Sequence, residues 1–123
     1  MLVVDDDRVL TRAITRALGA AYAITAENRA PAALERLRGG ERFDLILCDV
    51  MMPELSGIAI HAELVQVAPD QAARMVFMTG GAFTIAAREF LARVPNPRIE
   101  KPFGPPQLRT LVADSLRAAR TSP

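Results

Sequence analysis

Five polar side chains stand where apolar runs end: Asp5 and Asp6 after Leu2-Val3-Val4, Asp49 after Leu45-Ile46-Leu47-Cys48, Thr79 after Met75-Val76-Phe77-Met78, and Lys101 after the brief stretch from Arg98 to Glu100. Short, wholly apolar runs bounded by turn residues read as strands buried on both faces of a parallel sheet. In such open α/β sheets the ligand crevice lies outside the carboxyl ends of the strands. Three carboxylates sharing that crevice repel one another unless a cation offsets them. All-oxygen ligands favour Mg²⁺, which keeps several waters and takes one or two carboxylates plus phosphate oxygens. The Lys101 ammonium and the Thr79 hydroxyl suit the oxygens of a transferring phosphoryl group. Asp49 is left as the nucleophile, a carboxylate able to form an aspartyl phosphate.

The elements that must position these residues follow from the spacing. After the first strand, Val9, Leu10, Ala13, Ile14, Ala17 and Leu18 recur at helical intervals and Gly19 supplies a stop. Tyr22 to Ala26 reads as a second strand, and Pro31 opens a helix with Leu34 and Leu37 inward that closes at Gly39-Gly40. Beyond the Pro53 to Gly57 turn, Ile60, Leu64, Val67 and Ala68 mark the inner face of a third helix ending near Pro69. Phe83, Ala87, Phe90, Leu91 and Val94 outline a fourth, and a fifth starts near Pro105 or Pro106 and buries Leu108, Leu111, Val112 and Leu116. Five strands alternating with five helices specify a parallel sheet with right-handed crossovers and helices on both faces. Of the two common doubly wound orders, the flavodoxin-like 2-1-3-4-5 suits the length and puts the switch point between strands one and three.

A chain of 123 residues is one domain by length, residues 1–123, with an ordinary globular composition: half apolar and 24% charged. A formal charge of +1 from scattered cations gives no field for a phosphate backbone, so nucleic acid is not expected as a direct partner. No apolar stretch approaches the ~20 residues of a membrane span, and no basic region precedes the first hydrophobic run. Cys48 excludes an internal disulfide and reads as a small buried thiol, which fits a cytoplasmic compartment. Met1 runs directly into the first strand, as expected of a domain excised from a longer chain, without an output domain of its own.

Val3-Val4-Asp5-Asp6, Cys48-Asp49-Val50-Met51-Met52-Pro53 with Gly57, Thr79-Gly80 and Glu100-Lys101-Pro102-Phe103 resemble, in order and spacing, the receiver domain of two-component response regulators. The resemblance implies that Asp49 accepts a phosphoryl group from a phosphohistidine on a histidine kinase or histidine phosphotransfer domain. It implies that Asp6 and Asp49 bind Mg²⁺ directly together with the backbone carbonyl of Met51, while Asp5 acts mainly through water. Thr79 and Lys101 would contact the phosphoryl oxygens, and the Lys101-Pro102 bond would be cis. The runs Met78 to Phe83 and Pro95 to Phe103 resemble receivers at the carboxyl end of hybrid histidine kinases; a homodimer is compatible with the pattern. One position departs: Arg98 stands where many receivers carry an aromatic residue that swings inward. Output is therefore expected through another repacking of the fourth helix and fifth strand. Met51 and Gly81, two residues beyond Asp49 and Thr79, cannot easily position an attacking water, which predicts slow self-dephosphorylation.

Other readings stand beside this one. Asp7 is expected to start a helix, Asp44 to end a turn, Thr79 alone could cap a helix and Lys101 alone could be solvated. Met51, Met52, Met75 and Met78 read as packing, the arginines of the first and last helices as solvated faces, and His61 as a residue of a surface helix without a role. A Mg²⁺-dependent phosphatase with an Asp nucleophile would need a second acid two residues on, where Met51 stands. A receiver-like module that only binds partners is the third alternative.

Overall fold

The computed structural model describes residues 1–80 and 84–121. Strands β1 (Leu2–Val4), β2 (Thr25–Glu27), β3 (Ile46–Asp49), β4 (Met75–Thr79) and β5 (Arg98–Glu100) alternate with helices α1 (Arg8–Leu18), α2 (Ala30–Arg38), α3 (Gly57–Val67), α4 (Pro69–Ala72), α5 (Ile85–Arg93) and α6 (Pro105–Thr121). Every strand pairing is parallel and the order is β2-β1-β3-β4-β5, the doubly wound arrangement expected from the sequence.

Side chains alternate across a pleated sheet, so odd and even positions of one strand feed different cores. Leu2, Val4, Ile46, Cys48 and Phe77 pack with Ala33 and Leu37 of α2, Ile60 and Leu64 of α3, and Ala87, Phe90 and Leu91 of α5. Val3, Leu47, Val76, Met78 and Ile99 pack with Ile14 and Leu18 of α1 and Leu108, Val112 and Leu116 of α6. Both faces being covered is why β1, β3 and β4 carry no alternating polar residues. Buried Gln71 joins α4 to the entry of β3: its amide accepts from the Phe43 N–H at 2.8 Å and donates to the Phe43 carbonyl at 3.1 Å.

Several local expectations need correction. The second strand lies at Thr25–Glu27, later than Tyr22 to Ala26, because its position is set by pairing with β1, which matches Val4 to Glu27. Pro69 ends one helix and begins another, the four-residue α4, since proline is tolerated in a helix first turn. Val67 is exposed, and so is Val9 at 74%, because Ile60, Leu64 and Ala68, and likewise Ile14 and Leu18, already fill the sheet-facing stripe. His61 is not a solvated surface residue. Its ring is half-buried, 5.2 Å from that of Phe90 and 5.9 Å from that of Phe77, and burial lowers its pKa against the opposing effect of its hydrogen bond to Asn96. Phe83 lies outside the described residues, and Thr84 caps α5, its hydroxyl accepting from the Ala87 N–H at 3.1 Å.

Candidate functional site

The pleat delivers three of the expected residues to one side of the sheet. Asp5 follows Val3 by two residues, Asp49 follows Leu47, and Lys101 follows Ile99, all members of the core packed on α1 and α6. At the carboxyl edge the Lys101 Nζ donates to Asp5 Oδ2 at 2.7 Å and lies 3.5 Å from Asp49 Oδ1. Asp5 and Asp49 are buried and Asp6 is exposed, yet carboxylate oxygens of all three fall within 4.8 Å of one another. The cluster is thus closed on the protein side and open on the Asp6 side.

The turn after β1 explains how adjacent acids take different roles. Asp5 Oδ1 accepts from the Asp7 N–H at 2.9 Å, and Asp7 Oδ1 accepts from the N–H groups of Val9 and Leu10 at 3.0 and 3.1 Å, capping α1. Both flanking acids are engaged with backbone, and Asp6 between them faces outward. Asn28 holds the turn from the far side, its Nδ2 donating to the Asp5 carbonyl at 2.9 Å and to the Thr11 hydroxyl at 3.0 Å. No spacing in the sequence points to Asn28; its role comes from the β1–β2 pairing.

Asp49 is fixed by its own loop. The Val50 N–H donates to the Met78 carbonyl, the Gly57 N–H donates to the Val50 carbonyl at 2.9 Å, and Ser56 caps α3. Gly57 passes so close that a Cβ there would lie 2.4 Å from the Asp49 carbonyl oxygen and 3.1 Å from the Val50 Cα. Gly57→Ala is therefore expected to push the backbone that carries Asp49, costing about 1–3 kcal/mol by denaturant unfolding; unchanged stability would mean that the loop yields freely.

Burial, then the charge of Asp5, raises the Asp49 pKa to about 6, against the lowering effect of Lys101 and of a hydrogen bond from the Met51 backbone. Burial alone would lower the Lys101 pKa, but its bonds to Asp5 and Asp49 outweigh it and hold the ammonium above the ordinary lysine range. Burial, with the charges of Asp49 and Asp5, drives the Cys48 thiol far above its usual range, so it is an inert packing residue. Thr79 is buried at the end of β4, and its carbonyl accepts from the Lys101 N–H at 2.7 Å. It follows Phe77, on the opposite side of the pleat from the acids, and its hydroxyl has no hydrogen-bond partner among the described residues. Met51 is exposed at 43%, and the Lys101–Pro102 bond is cis.

Oxygens around an octahedral Mg²⁺ with bonds of ~2.1 Å stand about 3–4 Å apart. Three carboxylates within 4.8 Å, one of them open to water, fit such an ion after a small closure or with water completing the shell.

A family model described as the response regulator receiver domain matches residues 1–113. The chain belongs to this family. The response regulator receiver protein CpdR of Brucella abortus (strain 2308) is 35% identical to it over 83 residues, 67% of this chain and 67% of CpdR. The sensor kinase CckA of the same organism is 31% identical over 118 residues, which are 94% of this chain and 12% of the kinase. A CheY-like receiver domain protein from Methanospirillum hungatei JF-1 superposes with a TM-score of 0.84 at 21% identity, over 97% of this chain and 94% of that one, a likeness of fold.

Within this receiver domain, Arg98 opens β5 exposed to solvent, while Ile99 beside it is buried. The aromatic contact between α3, β4 and α5 runs instead through His61, Phe77 and Phe90, with the Phe rings edge to face at 5.2 Å. Gly81 lies outside the described residues.

Proposed function

We propose that this receiver domain is a phosphoacceptor switch in a two-component phosphorelay. The observation that carries the reading is the single ammonium of Lys101 held 2.7 Å from Asp5 and 3.5 Å from Asp49, with Asp6 completing a three-carboxylate site. An Asp49 carboxylate oxygen attacks the phosphorus of a phosphohistidine on a histidine kinase or phosphotransfer domain; the new P–O bond forms as the P–N bond breaks, and the imidazole leaves neutral after taking up a proton. Mg²⁺, held by Asp6 and Asp49 with the Met51 carbonyl and by Asp5 mainly through water, would supply charge neutralisation at the phosphoryl oxygens. Lys101 adds a fixed cation on the same oxygens, and Thr79 supplies a hydroxyl once drawn toward them. Catalysis then needs only in-line positioning and electrostatics.

The similarity to a segment making up 12% of the sensor kinase CckA supports reading this receiver as one domain of a hybrid histidine kinase. With Arg98 exposed, phosphorylation repacks α5 against β5 by moving Thr79 and Lys101, without aromatic exchange at position 98. A phosphatase is disfavoured because Met51 offers no general acid two residues after Asp49.

Incubation with acetyl phosphate and Mg²⁺ followed by intact mass is expected to give one phosphoryl adduct, absent in EDTA and absent from Asp49→Asn. An adduct that persists in Asp49→Asn, or steady turnover of many phosphate esters, would contradict the reading.

A further inference from the structure

On the outer side of the sheet, between α1 and the edge strand β2, lies a groove of about 400 Å³ lined by Arg8, Arg12 and Arg16 together with Thr11, Thr15 and Asn28. The three arginines follow one another at intervals of four, so their guanidinium groups share one helix face along about 12 Å of α1. None of the three has a carboxylate partner among the described residues, whereas Arg29, Arg36, Arg38, Arg42 and Arg117 are each paired with one. Like charges at that spacing disfavour a helix, and Arg8 stands in the first turn, where the helix dipole disfavours a cation. A row of like charges at a concave surface with no acid lining it is relieved by an anion from outside.

We propose that this groove binds a small ligand carrying two or more linked phosphoryl groups. Guanidinium forks accept phosphate oxygens in pairs, a chain of phosphates matches a row of forks, and the volume lies within the range of small-molecule sites. The Thr15 hydroxyl at the rim already donates to the Thr11 carbonyl at 2.8 Å, which leaves the arginines as the donors for an anion, and Arg8 already reaches inward to Asn28 Oδ1 at 3.3 Å. Asn28 in turn holds the Asp5 carbonyl, so an anion that draws Arg8 outward disturbs a hydrogen bond adjoining the acid cluster. The groove is separate from that cluster, and its occupancy does not depend on phosphotransfer.

The test is a titration of the whole chain in EDTA, so that no metal brings phosphate to the carboxylates, followed through backbone amide shifts. The probes are inorganic tripolyphosphate, a nucleoside triphosphate and an oligoglutamate peptide. Saturable shifts confined to residues 8–16 and 26–28, weakened at least tenfold in Arg12→Ala/Arg16→Ala and unchanged in Arg109→Ala, are expected with one or both phosphate probes. The tighter of the two shows whether the chain of phosphates alone or a nucleotide is the ligand. Absence of saturable shifts, binding indifferent to the double substitution, or saturation by the peptide alone would overturn the proposal. The last result would make the groove a docking surface for an acidic protein. Arg12 and Arg16 are exposed, so the double variant retains the fold, which its unperturbed core shifts would verify.

Discussion

Lys101→Met is expected to lower the unfolding free energy by about 2–3 kcal/mol at pH 7 and to abolish phosphorylation. The substitution removes the only cation that contacts Asp5 and Asp49 among the described residues and leaves two buried carboxylates facing each other. Breaking a buried pair by deleting one partner costs about 3–5 kcal/mol; the Lys101 side chain is a quarter exposed, which argues for the lower figure given. For a domain of this size the loss corresponds to a fall in Tm of roughly 10 °C. The sign with pH follows from the raised Lys101 pKa. A group held charged by the fold stabilises fully below its ordinary pKa; without the ammonium the Asp49 pKa rises further, so the difference between variant and wild type grows as pH rises from about 6 to mild alkali. It shrinks only as pH rises through the lysine range. Thermal unfolding at several pH values checks this, and equal Tm values at pH 7 would show that the ammonium does not offset the acids.

Asp49→Asn is expected to act in the opposite direction, raising stability by about 1–2 kcal/mol at pH 7 in EDTA. The Asp49 carboxyl is pushed up to about 6 by burial and by Asp5, so the folded chain holds this proton more tightly than the unfolded chain. Its ionisation then costs stability progressively as pH rises from about 4, the ordinary aspartate value, through about 6. The full shift would convert to a larger figure, which partial access of water reduces. The gain should vanish below about pH 3, where both states carry the proton. Added Mg²⁺ should reverse the order, because an ion that binds only the folded acid cluster stabilises wild type by mass action and the Asn variant less. Equal Mg²⁺ stabilisation of both proteins would contradict the assignment of Asp49 to the metal site.

The legible parts of the fold were those where one constraint dominates. β1, β3 and β4 are buried on both faces, so their apolar runs carry the signal alone. Edge strand β2 is half exposed and contains Ala26 and Glu27, so its position is decided by the neighbour it pairs with and not by its own residues. Asp5, Asp49 and Lys101 were legible because each ends a strand, and a parallel sheet places all strand ends on one edge. Which of Asp5 and Asp6 turns inward was not, since it depends on the Asp7 N–H and the Asn28 amide closing the turn. His61 and Gln71 were missed for a related reason. A single polar residue on an apolar helix face has no periodic signature, and its partners Phe90 and Phe43 are distant in sequence.

The proposed switch requires Asp49 to be the atom donor to phosphorus, and chemical trapping locates that bond most directly. After phosphorylation with acetyl phosphate and Mg²⁺, borohydride reduces an aspartyl phosphate to homoserine, and tandem mass spectrometry of the digest reads the position. Homoserine at position 49 alone is the result predicted; reduction at Asp5 or Asp6, or a phosphoryl group recovered on a hydroxyl or histidine, would contradict it.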